Sequence, residues 1–443
     1  MERSSLEVKI KNTANLFKEE INGKEIQIIS HFDTDGISSA AIIVKMLKQL
    51  NQTFSLKILK SLNKEDIDSL DKEKIALFLD LGSGSLEYLK KSKIRKIYII
   101  DHHEITEEIP LNVEIINPYL HEKQKISTSS LAYLFSREII GKNHELGKLA
   151  IIGMIGDQLE KEIDSLNHGI LEESDIHIKK GLMIYPSTRP LNKVLEFTLD
   201  PFIPGVTGNP EGIIDLLRES NLSPEKGKYK SLIELTEEEM EKLVTSVILR
   251  NPKTKNKKLL GNLYLVKMFG KLEDAREISA KINACSRNGD PMTALSFCLE
   301  NNLSRKKADS IHIKHKQQII SGLKFIENSQ KISGKGFEII NAKDKIKDTV
   351  IGTITSILAN SPEYEESTII LGMAYNGKEI KISARNVGKR GRNVREILAK
   401  TMSFFQGEVG GHEFAAGCTI PFDKEDEFIE KVKKELEIEV IKI

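Results

Sequence analysis

The sequence is short of several residue types, and each shortage excludes a class of protein. Its 443 residues include no tryptophan and only three cysteines, too few and too scattered for a disulfide framework or a Cys-x-x-Cys zinc site. No apolar run reaches the roughly 18 residues of a transmembrane helix, so no membrane association is predicted. The first residues also lack the apolar core of a signal peptide. Together these absences predict a protein of the reducing cytoplasm.

Net charge and aromatic content are also low. The 66 basic and 65 acidic residues leave a formal net charge of +1, whereas many nucleic-acid-binding domains are strongly basic. Near-neutrality does not exclude nucleic acid, because an acidic metal site and a local basic groove can lie on one chain. With only 9 tyrosines and 16 phenylalanines, extensive base stacking is not indicated. Any nucleic acid is therefore expected to be held mainly through its phosphates, with strong salt dependence.

The pattern of predicted elements changes along the chain. In residues 1–158 apolar strands alternate with helices, which predicts an α/β domain with a doubly wound, mainly parallel sheet. Residues 159–300 are rich in Glu and Lys and predict a mainly helical insert or completion of the first lobe, with a basic loop at 253–258. Residues 301–335 have the pattern of a long connecting helix. Residues 336–443 predict a smaller C-terminal α+β domain.

Acids and imidazoles stand at the ends of several predicted elements of the first domain. They are His31, Asp33 and Asp35 after the first strand, Asp80 after the third, Asp101, His102 and His103 after the fourth, and Asp157 after a helix. Ligands of an open α/β sheet gather outside the carboxyl ends of its strands. Carboxylate and imidazole together suit Mn²⁺ or Fe²⁺, and so many ligands suit two ions about 3.5–4 Å apart. The pattern therefore predicts a two-metal site for phosphate chemistry.

Each of these residues also has an ordinary structural interpretation. A single aspartate after a strand is more often a turn or helix-capping residue. The stretch Asp33-Thr-Asp35-Gly36 resembles part of a calcium loop, but the rest of that pattern is absent. The glycines at 82 and 84 do not complete a dinucleotide-binding fingerprint. It is the coincidence of all the endings that favours the metal site.

The motifs resemble, in order, those of the DHH phosphoesterases. They are His31-x-Asp33-x-Asp35-Gly36, then Asp80-x-Gly82 after a strand, then Asp101-His102-His103, then a helix ending in Gly156-Asp157. The stretch 409–417 is similar to the glycine-histidine motif of the DHH-associated C-terminal domain, and 280–291 is similar to a segment of RecJ-type exonucleases. The resemblance extends from residue 31 to residue 417, and the chain length and the Thr-Arg-Pro element at 188–190 resemble archaeal RecJ-like proteins.

This resemblance implies roles for individual residues. Asp80 would bridge two Mn²⁺ ions, with Mg²⁺ or Co²⁺ as alternatives. The remaining metal ligands would be His31 and Asp33 on one ion, and Asp35, His102 and Asp157 on the other. His103 would face the scissile phosphate, and Asp101 would orient an imidazole. Asp80, Asp101 and His103 are therefore the predicted catalytic group.

The predicted substrate-binding residues lie mostly in the C-terminal domain. Gly410 and Gly411 would let backbone N–H groups and the His412 imidazole approach a phosphate closely, and a tight turn is the less favoured alternative. The densest basic stretch contains Arg385, Asn386, Lys389, Arg390, Arg392 and Arg395. We favour a phosphate-binding groove there over a merely solvated face. Arg287 is predicted either to contact the substrate backbone or to brace its own helix.

The predicted function is a Mn²⁺-dependent exonuclease that hydrolyses phosphodiester bonds of single-stranded DNA or RNA from an end. It would release nucleoside monophosphates, in DNA replication or repair or in RNA processing. One alternative is a phosphodiesterase of short oligonucleotides or cyclic dinucleotides. The other is a scaffold for replication or repair proteins (GINS-like, helicase or nuclease partners), with the 159–300 insert as the contact surface. The sequence specifies neither polarity nor a preference for DNA over RNA.

Overall fold

The computed structural model describes residues 5–121, 124–161, 163–198, 201, 203–250, 259–361, 363–405, 407 and 409–438. The predicted basic loop at 253–258 lies outside the described residues. The chain divides into two compact units. Unit 1 comprises Met1–Leu195, Ile214–Ser246 and Asn256–His312, and unit 2 comprises Glu196–Ile213, Val247–Lys255 and Ile313–Ile443. Each unit has its own sheet and its own apolar core.

Five parallel strands form the central sheet of unit 1. They are β1 (Ile26–His31), β2 (Phe54–Leu59), β3 (Ile75–Leu79), β4 (Lys96–Ile100) and β5 (Val113–Ile116). Their order is β2-β1-β3-β4-β5, which confirms the doubly wound sheet. Every residue of β3 is buried, as expected for an unbroken apolar run between two helical layers. The strand order changes direction between β1 and β3, where such sheets bind ligands.

Helices cover both faces of this sheet. The described α-helices as far as residue 327 are α1 (Ser5–Glu20), α2 (Thr34–Gln49), α3 (Lys64–Asp68), α4 (Leu86–Lys91), α5 (Thr128–Ile140), α6 (His144–Gly156), α7 (Ser165–Glu173), α8 (Leu191–Glu196), α9 (Pro210–Glu219), α10 (Glu237–Arg250), α11 (Ala275–Arg287), α12 (Pro291–Cys298) and α13 (Asn302–Glu327). The larger apolar cluster joins the sheet to α1, α2, α5, α6, α11 and α12. The smaller cluster joins its other face to α3 and α4.

The 159–300 stretch contains a small sheet that the sequence pattern did not predict. It is antiparallel, with β6 (Ile176–Leu182), β7 (Leu260–Met268) and β8 (Lys271–Asp274) in the order β6-β7-β8. Lysines and a histidine interrupt the apolar alternation of β6, and its partner β7 follows it only after a long intervening stretch. Neither strand therefore has a strong period of two along the sequence.

Unit 2 is built on a mixed six-stranded sheet. Its strands are β9 (Ile332–Gly334), β10 (Phe337–Asn341), β11 (Ile369–Asn376), β12 (Glu379–Asn386), β13 (Gly410–His412) and β14 (Ala415–Pro421), and its further helices are α14 (Asp348–Ala359), α15 (Val394–Met402) and α16 (Glu425–Glu437). The order is β13-β14-β12-β11-β10-β9, and only β10 and β11 are parallel. One face packs on α14 and the other on α15 and α16. No described helix is long and apolar enough to cross a membrane.

Candidate metal centre

Four neighbouring strands of unit 1 finish level with one another. Ser30 of β1 and the last residues of β3, β4 and β5 are cross-strand partners. The residues that come next, His31, Asp80, Asp101 and Asn117, therefore stand in one row at the carboxyl edge of the sheet. Two helices add acids to this edge. Asp33 and Asp35 lie at the start of α2, and Asp157 lies at the end of α6.

The side chains at this edge form three groups, each with its ligand atoms within 4.8 Å of one another. The groups are His31, Asp33 and Asp80; Asp35, His102 and Asp157; and Asp80, His102 and His103. Asp80 Oδ2 lies 3.1 Å from His31 Nδ1, and Asp80 Oδ1 lies 3.5 Å from His102 Nε2. The two oxygens of one carboxylate thus face two different groups. This is the geometry expected of a ligand shared by two cations.

Asp80 is held firmly in this position. It is 1% exposed, and its backbone adopts a left-handed conformation with φ of 58°, which aspartate tolerates better than most residues. The Thr128 hydroxyl donates a hydrogen bond of 3.0 Å to Asp80 Oδ1. A buried carboxylate with a fixed backbone and a fixed hydroxyl donor cannot rotate freely, so both oxygens keep their directions.

The start of α5 fixes a second carboxylate. The backbone N–H groups of Thr128 and Ser129 donate to Asp35 Oδ2 and Oδ1, at 2.7 and 2.9 Å. These N–H groups have no partner within the helix, and the helix dipole adds partial positive charge at the same end. Asp35 is 1% exposed. The helix terminus therefore supplies the hydrogen bonds that make burial of this acid tolerable.

His31 and Asp33 are oriented by the turns that follow β1. His31 Nδ1 lies 3.0 Å from Asp33 Oδ2 and 3.1 Å from Asp80 Oδ2. Asp33 Oδ1 accepts from the Gly36 backbone N–H at 3.0 Å and so caps α2. A Cβ on Gly36 would collide with the His31 carbonyl. The glycine is therefore required for the histidine and the aspartate to stand side by side.

His103 and Asp101 form a hydrogen-bonded pair. His103 Nδ1 lies 2.7 Å from Asp101 Oδ1, and Asp101 also accepts from the backbone N–H groups of Ser83 and His102 at 3.0 and 2.8 Å. Burial alone would raise the pKa of Asp101, but these donors hold it at about 2. The hydrogen bond to Asp101 raises the pKa of His103. The His103 side chain is 56% exposed, so its other ring nitrogen is accessible.

The crowding of carboxylates fits a site for cations. Burial, and then the neighbouring aspartates, raise the pKa of Asp80 and of Asp157 well above the usual value. Burial also acts to raise the pKa of Asp33, but the hydrogen bond and charge of His31 outweigh it and keep that pKa low. Asp157 Oδ2 is buried and has no hydrogen-bond partner among the described residues. Oxygen and imidazole donors with unrelieved negative charge are what divalent transition-metal ions require.

Arg287 stands on the same side of unit 1. It is exposed in the last turn of α11, and the negative charge of Asp33 acts on it. α11 is anchored beside the centre, because the Thr34 hydroxyl donates to the Ser279 carbonyl at 3.1 Å. The structure therefore brings Arg287 into the electrostatic range of the predicted ligands.

The other predicted substrate-binding residues lie in unit 2. Arg385 of β12 and His412 of β13 are both cross-strand partners of Ala415 in β14, so the guanidinium and imidazole side chains share one face across a small residue. Arg385 Nε donates to the Ser356 hydroxyl at 2.9 Å. Gly410 and Gly411 are exposed in β13, and a Cβ on Gly411 would collide with the Ala415 carbonyl.

Besides Arg385, two further members of the basic stretch have internal partners. Asn386 is buried, and its amide donates to the Arg390 carbonyl at 2.8 Å, which braces the loop after β12. Arg392 donates to the Leu436 carbonyl at 2.9 Å near the end of α16. Arg390 itself is exposed. Fewer charged groups of this stretch are therefore free to bind a phosphate than its sequence suggests. Asn386 faces the protein interior and not the solvent.

Three polar residues around the centre were not among the site residues predicted from the sequence. Thr128 contacts Asp80, Ser83 contacts Asp101, and Asn117 directly follows the fourth strand of the row. Asn117 shares the position after a strand with the predicted ligands, so the register of the sheet was the signal that could have identified it. Thr128 and Ser83 owe their place to tertiary packing, which no local pattern reveals.

Three stretches of the chain match known domain families. Residues 25–156 match the DHH family N-terminal domain, residues 185–258 the DHH-CID domain and residues 336–437 the DHHA1 domain. An uncharacterized protein of Methanocaldococcus jannaschii is 30% identical over 425 residues, which cover 92% of each chain.

Solved structures share the fold at low sequence identity. RecJ of Thermus thermophilus in complex with Mn²⁺ has a TM-score of 0.61 at 16% identity, over 97% of this chain but only 55% of that one. This chain thus spans about half the length of that RecJ. A second exonuclease RecJ bound to manganese has a TM-score of 0.61 at 17% identity, covering 97% and 95% of the two chains. CDC45 of Entamoeba histolytica has a TM-score of 0.68 at 11% identity, covering 97% and 99%.

Proposed function

Because this chain belongs to the DHH family of phosphoesterases and has a RecJ-like fold, we propose that it is an exonuclease of single-stranded nucleic acid. It would hydrolyse phosphodiester bonds from an end and release nucleoside monophosphates. The observation that carries this proposal is the Asp80 carboxylate, whose two oxygens face two separate groups of ligands. DNA replication, DNA repair and RNA processing are the settings in which such an activity is used.

Two divalent cations, for which we propose Mn²⁺ with Mg²⁺ or Co²⁺ as alternatives, would be held by the aspartates and histidines at the sheet edge. One would be held by His31, Asp33 and Asp80, and the other by Asp80 together with Asp35, His102 and Asp157. When bound, such ions lower the pKa of water and neutralise charge that develops on a phosphate. The buried, unpartnered Asp157 oxygen and the raised pKa values of Asp80 and Asp157 support this assignment.

Of the remaining residues of the centre, His103 and Arg287 would act on the substrate directly and Asp101 would act through His103. His103 Nδ1 donates to Asp101, so the imidazolium form of the ring, which the raised pKa of His103 favours, carries a proton at Nε2 that is available to a phosphate oxygen or to the leaving oxygen. Asp101 keeps the ring in this orientation, because four donors fix the carboxylate. Arg287 would contact a non-bridging oxygen of the phosphate, where its charge offsets that of the strand.

Unit 2 would hold the strand by its backbone. Arg385 and His412 share one face of its sheet, with only the methyl group of Ala415 between them. Gly410 and Gly411 would present backbone N–H groups that a phosphate can approach without meeting a Cβ. The exposed Arg390 adds charge nearby, whereas Asn386 shapes the loop that carries it.

The test is digestion of end-labelled single-stranded DNA and RNA by the whole protein, with and without Mn²⁺. We expect Mn²⁺-dependent release of mononucleotides, and a loss of at least about 10³-fold in rate for Asp80→Asn, as is typical when a central electrostatic group is removed. Asp66→Asn is the matched control, because Asp66 pairs with Lys57 on the surface of the same unit.

Other outcomes would identify the alternatives. Hydrolysis of a dinucleotide or cyclic dinucleotide but not of a long strand would replace the proposal by a short-oligonucleotide phosphodiesterase. If the wild-type protein hydrolyses none of these substrates, the proposal is wrong, and a scaffold for replication proteins becomes the better hypothesis. Residues 185–258, which match the DHH-CID domain, are then the stretch to test for partner binding.

A further inference from the structure

Asn117 is the uncharged member of the row at the sheet edge. It follows β5 directly and is completely buried. Its amide Nδ2 donates to the Ser83 hydroxyl at 3.0 Å and to the His103 carbonyl at 2.8 Å, and its Oδ1 accepts from the Tyr119 backbone N–H at 2.9 Å. Both N–H bonds of the amide are therefore used, and both lead toward the pair formed by His103 and Asp101.

The two contacts of the amide support that pair from different sides. One fixes the backbone of His103 at its own carbonyl group. The other holds the side chain of Ser83, whose backbone N–H donates to Asp101 Oδ2 at 3.0 Å. Asn117 thus links the end of β5 both to the residue that carries the imidazole and to the turn after β3 that binds its carboxylate partner.

His103 depends on such support more than its neighbours do. Its side chain is 56% exposed, whereas Asp101 and Asp80 are each 1% exposed. The imidazole packs edge-on against the His102 ring, with ring centroids 4.6 Å apart, and its direction otherwise depends on the hydrogen bond to Asp101 and on the position of its own backbone. A side chain that donates a proton to a substrate is sensitive to small displacements, because it must stay within hydrogen-bond distance of the reacting oxygen.

We propose that Asn117 is a positioning residue for His103 in the hydrolytic reaction, acting through the His103 carbonyl and through Ser83. This inference rests on the proposed function, since it takes His103 to act on the phosphate. The hydrogen bonds of its side chain reach Ser83, His103 and Tyr119, none of which is a predicted metal ligand. Its removal should therefore weaken turnover, with little effect on substrate binding or on the metal requirement.

The substitution Asn117→Asp separates positioning from a general structural role. Aspartate keeps the size of the side chain and an oxygen that can accept from Tyr119. It loses both amide donors and places a carboxylate oxygen against the His103 carbonyl, which repels it. Ser83 can rotate its hydroxyl to donate to the new carboxylate, so the disturbance falls mainly on His103.

Asn112 provides the matched control. It precedes β5 as Asn117 follows it, and its amide Nδ2 donates to the Ile94 carbonyl at 2.7 Å. Asn112→Ala therefore removes an amide-to-carbonyl hydrogen bond from the other end of the same strand. It lies at the amino-terminal edge of the sheet, so it tests the cost of losing such a bond without affecting His103.

The first measurement is steady-state kinetics of the Mn²⁺-loaded protein on a single-stranded substrate. We expect Asn117→Asp and Asn117→Ala to lower kcat by about 10- to 100-fold, the usual effect of removing a group that orients an active residue, with KM changed by less than about twofold. The Mn²⁺ concentration for half-maximal activity should not change. Asn112→Ala should keep kcat within about twofold of wild type. Equal kcat for Asn117→Asp and Asn112→Ala would overturn the proposal.

The second measurement does not depend on activity. In protein labelled with ¹⁵N-histidine, the imidazole N–H that is hydrogen-bonded to Asp101 should give a slowly exchanging signal, which His103→Gln identifies by its loss. We expect this signal to disappear in Asn117→Asp and to persist in Asn112→Ala. A signal that persists in Asn117→Asp disproves the positioning role even if the wild-type protein hydrolyses no strand. Failure of the proposed function would be seen separately, as a lack of hydrolysis by the wild-type protein in the digestion assay.

Discussion

The carboxylates of the centre are fixed chiefly by backbone donors. Asp35 accepts from two N–H groups at the start of α5, and Asp101 accepts from those of Ser83 and His102. Backbone donors have few alternative positions, so the oxygens that remain open keep constant directions. Such rigid support is what a site needs when its ligands must be in place before the metal arrives.

Removal of one charge from this cluster should have opposite effects on the metal-free and metal-loaded protein. We expect Asp157→Asn to raise the melting temperature of the metal-free protein by about 2–4 °C, which corresponds to about 1 kcal/mol in a domain of this size. The reason is that Asp157 is buried beside other aspartates, as its raised pKa indicates. The same variant should lose most of the stabilisation that Mn²⁺ gives the wild type, which is about 2.7 kcal/mol at 100 times the Kd.

Differential scanning calorimetry with and without Mn²⁺ checks this prediction. Asp66→Asn, outside the centre, should respond to Mn²⁺ as the wild type does. A wild-type melting temperature that does not depend on Mn²⁺ would contradict the assignment of the ligands.

At this scale the sequence indicated the candidate residues of the centre but not the groups that support them. His31, Asp80 and Asp101 were recognisable because each ends an apolar strand, and strand ends meet at one edge. Thr128 was not recognisable, because its hydroxyl reaches Asp80 from a helix 48 positions later in the chain. Contacts of this kind depend on how helices pack, which a local pattern does not specify.

Among the elements, α6 lies unusually close to its neighbours. Its Gly153 faces Ser129 and Asp35, and its Gly156 faces Thr34. A Cβ at Gly153 would overlap the Ser129 hydroxyl and lie 2.6 Å from Asp35 Oδ1. Glycine normally weakens a helix, so its presence here reflects the need for α6 to bring Asp157 next to α2 and α5.

We expect Gly153→Ala to destabilise the protein by about 1–3 kcal/mol, the usual cost of overpacking a core, and to weaken Mn²⁺ binding because Asp35 must move. Gly169→Ala in α7 is the matched control. No atom lies within 4 Å of a Cβ at Gly169, so this helix should gain about 0.4–1 kcal/mol. Urea unfolding of both variants gives the comparison, and a neutral or stabilising Gly153→Ala would contradict the close packing.

The elements that the sequence did not predict share a physical cause. The strands β6 and β7 lack clear alternation, because β6 is mostly at the surface and β7 is mostly buried. The short strand β13 consists of Gly410, Gly411 and His412, whose composition indicates a turn. Its strand form depends entirely on pairing with β14. The buried strands β3 and β4 were predictable for the opposite reason, since burial on both faces leaves an unbroken apolar run.

At the scale of the whole molecule, unit 1 is assembled from separate stretches of chain. Lys148 of α6 is 6% exposed at its side chain and is paired with Glu145 and Glu300. It also donates to the Lys267 carbonyl at 3.1 Å, and Glu300 accepts from the Phe269 backbone N–H at 2.8 Å. These contacts join α6 to the β7–β8 hairpin and to the end of α12, and so link residues 152 positions apart.

This link should make unit 1 sensitive to acid. Burial acts to raise the pKa of Glu300, but Lys148 and the Phe269 N–H outweigh it and hold the pKa below the usual value of a glutamate. A carboxylate with a lowered folded-state pKa contributes stability above its unfolded pKa and loses it as the pH falls through the folded pKa. Glu300→Gln should therefore cost about 1–3 kcal/mol at neutral pH, and the difference from wild type should shrink below about pH 4.

Urea unfolding at several pH values measures this difference. Glu87→Gln is the control, because Glu87 and Lys91 are 67% and 72% exposed and such pairs contribute little at any pH. A difference between Glu300→Gln and wild type that stays constant down to acid pH would contradict the buried link.

The layout of the whole chain was predictable to the level of fold class. Alternation of strands and helices indicated the doubly wound sheet, and the later change of pattern indicated a separate C-terminal sheet, both confirmed by the structure. The return of α11 to the centre was not predictable. Thr34 meets the Ser279 carbonyl across 245 positions, and nothing near either residue indicates the other.

That long-range packing has a consequence during synthesis of the chain on the ribosome. All the proposed metal ligands have been translated once Asp157 is added, whereas α11 ends only at Arg287. At translation rates of about 5–20 residues per second, the interval lasts on the order of ten seconds. A nascent chain thus carries the full set of carboxylates before the helix that packs beside them exists. A divalent cation can therefore meet the proposed ligands while the protein is still being made, before the fold around them is complete.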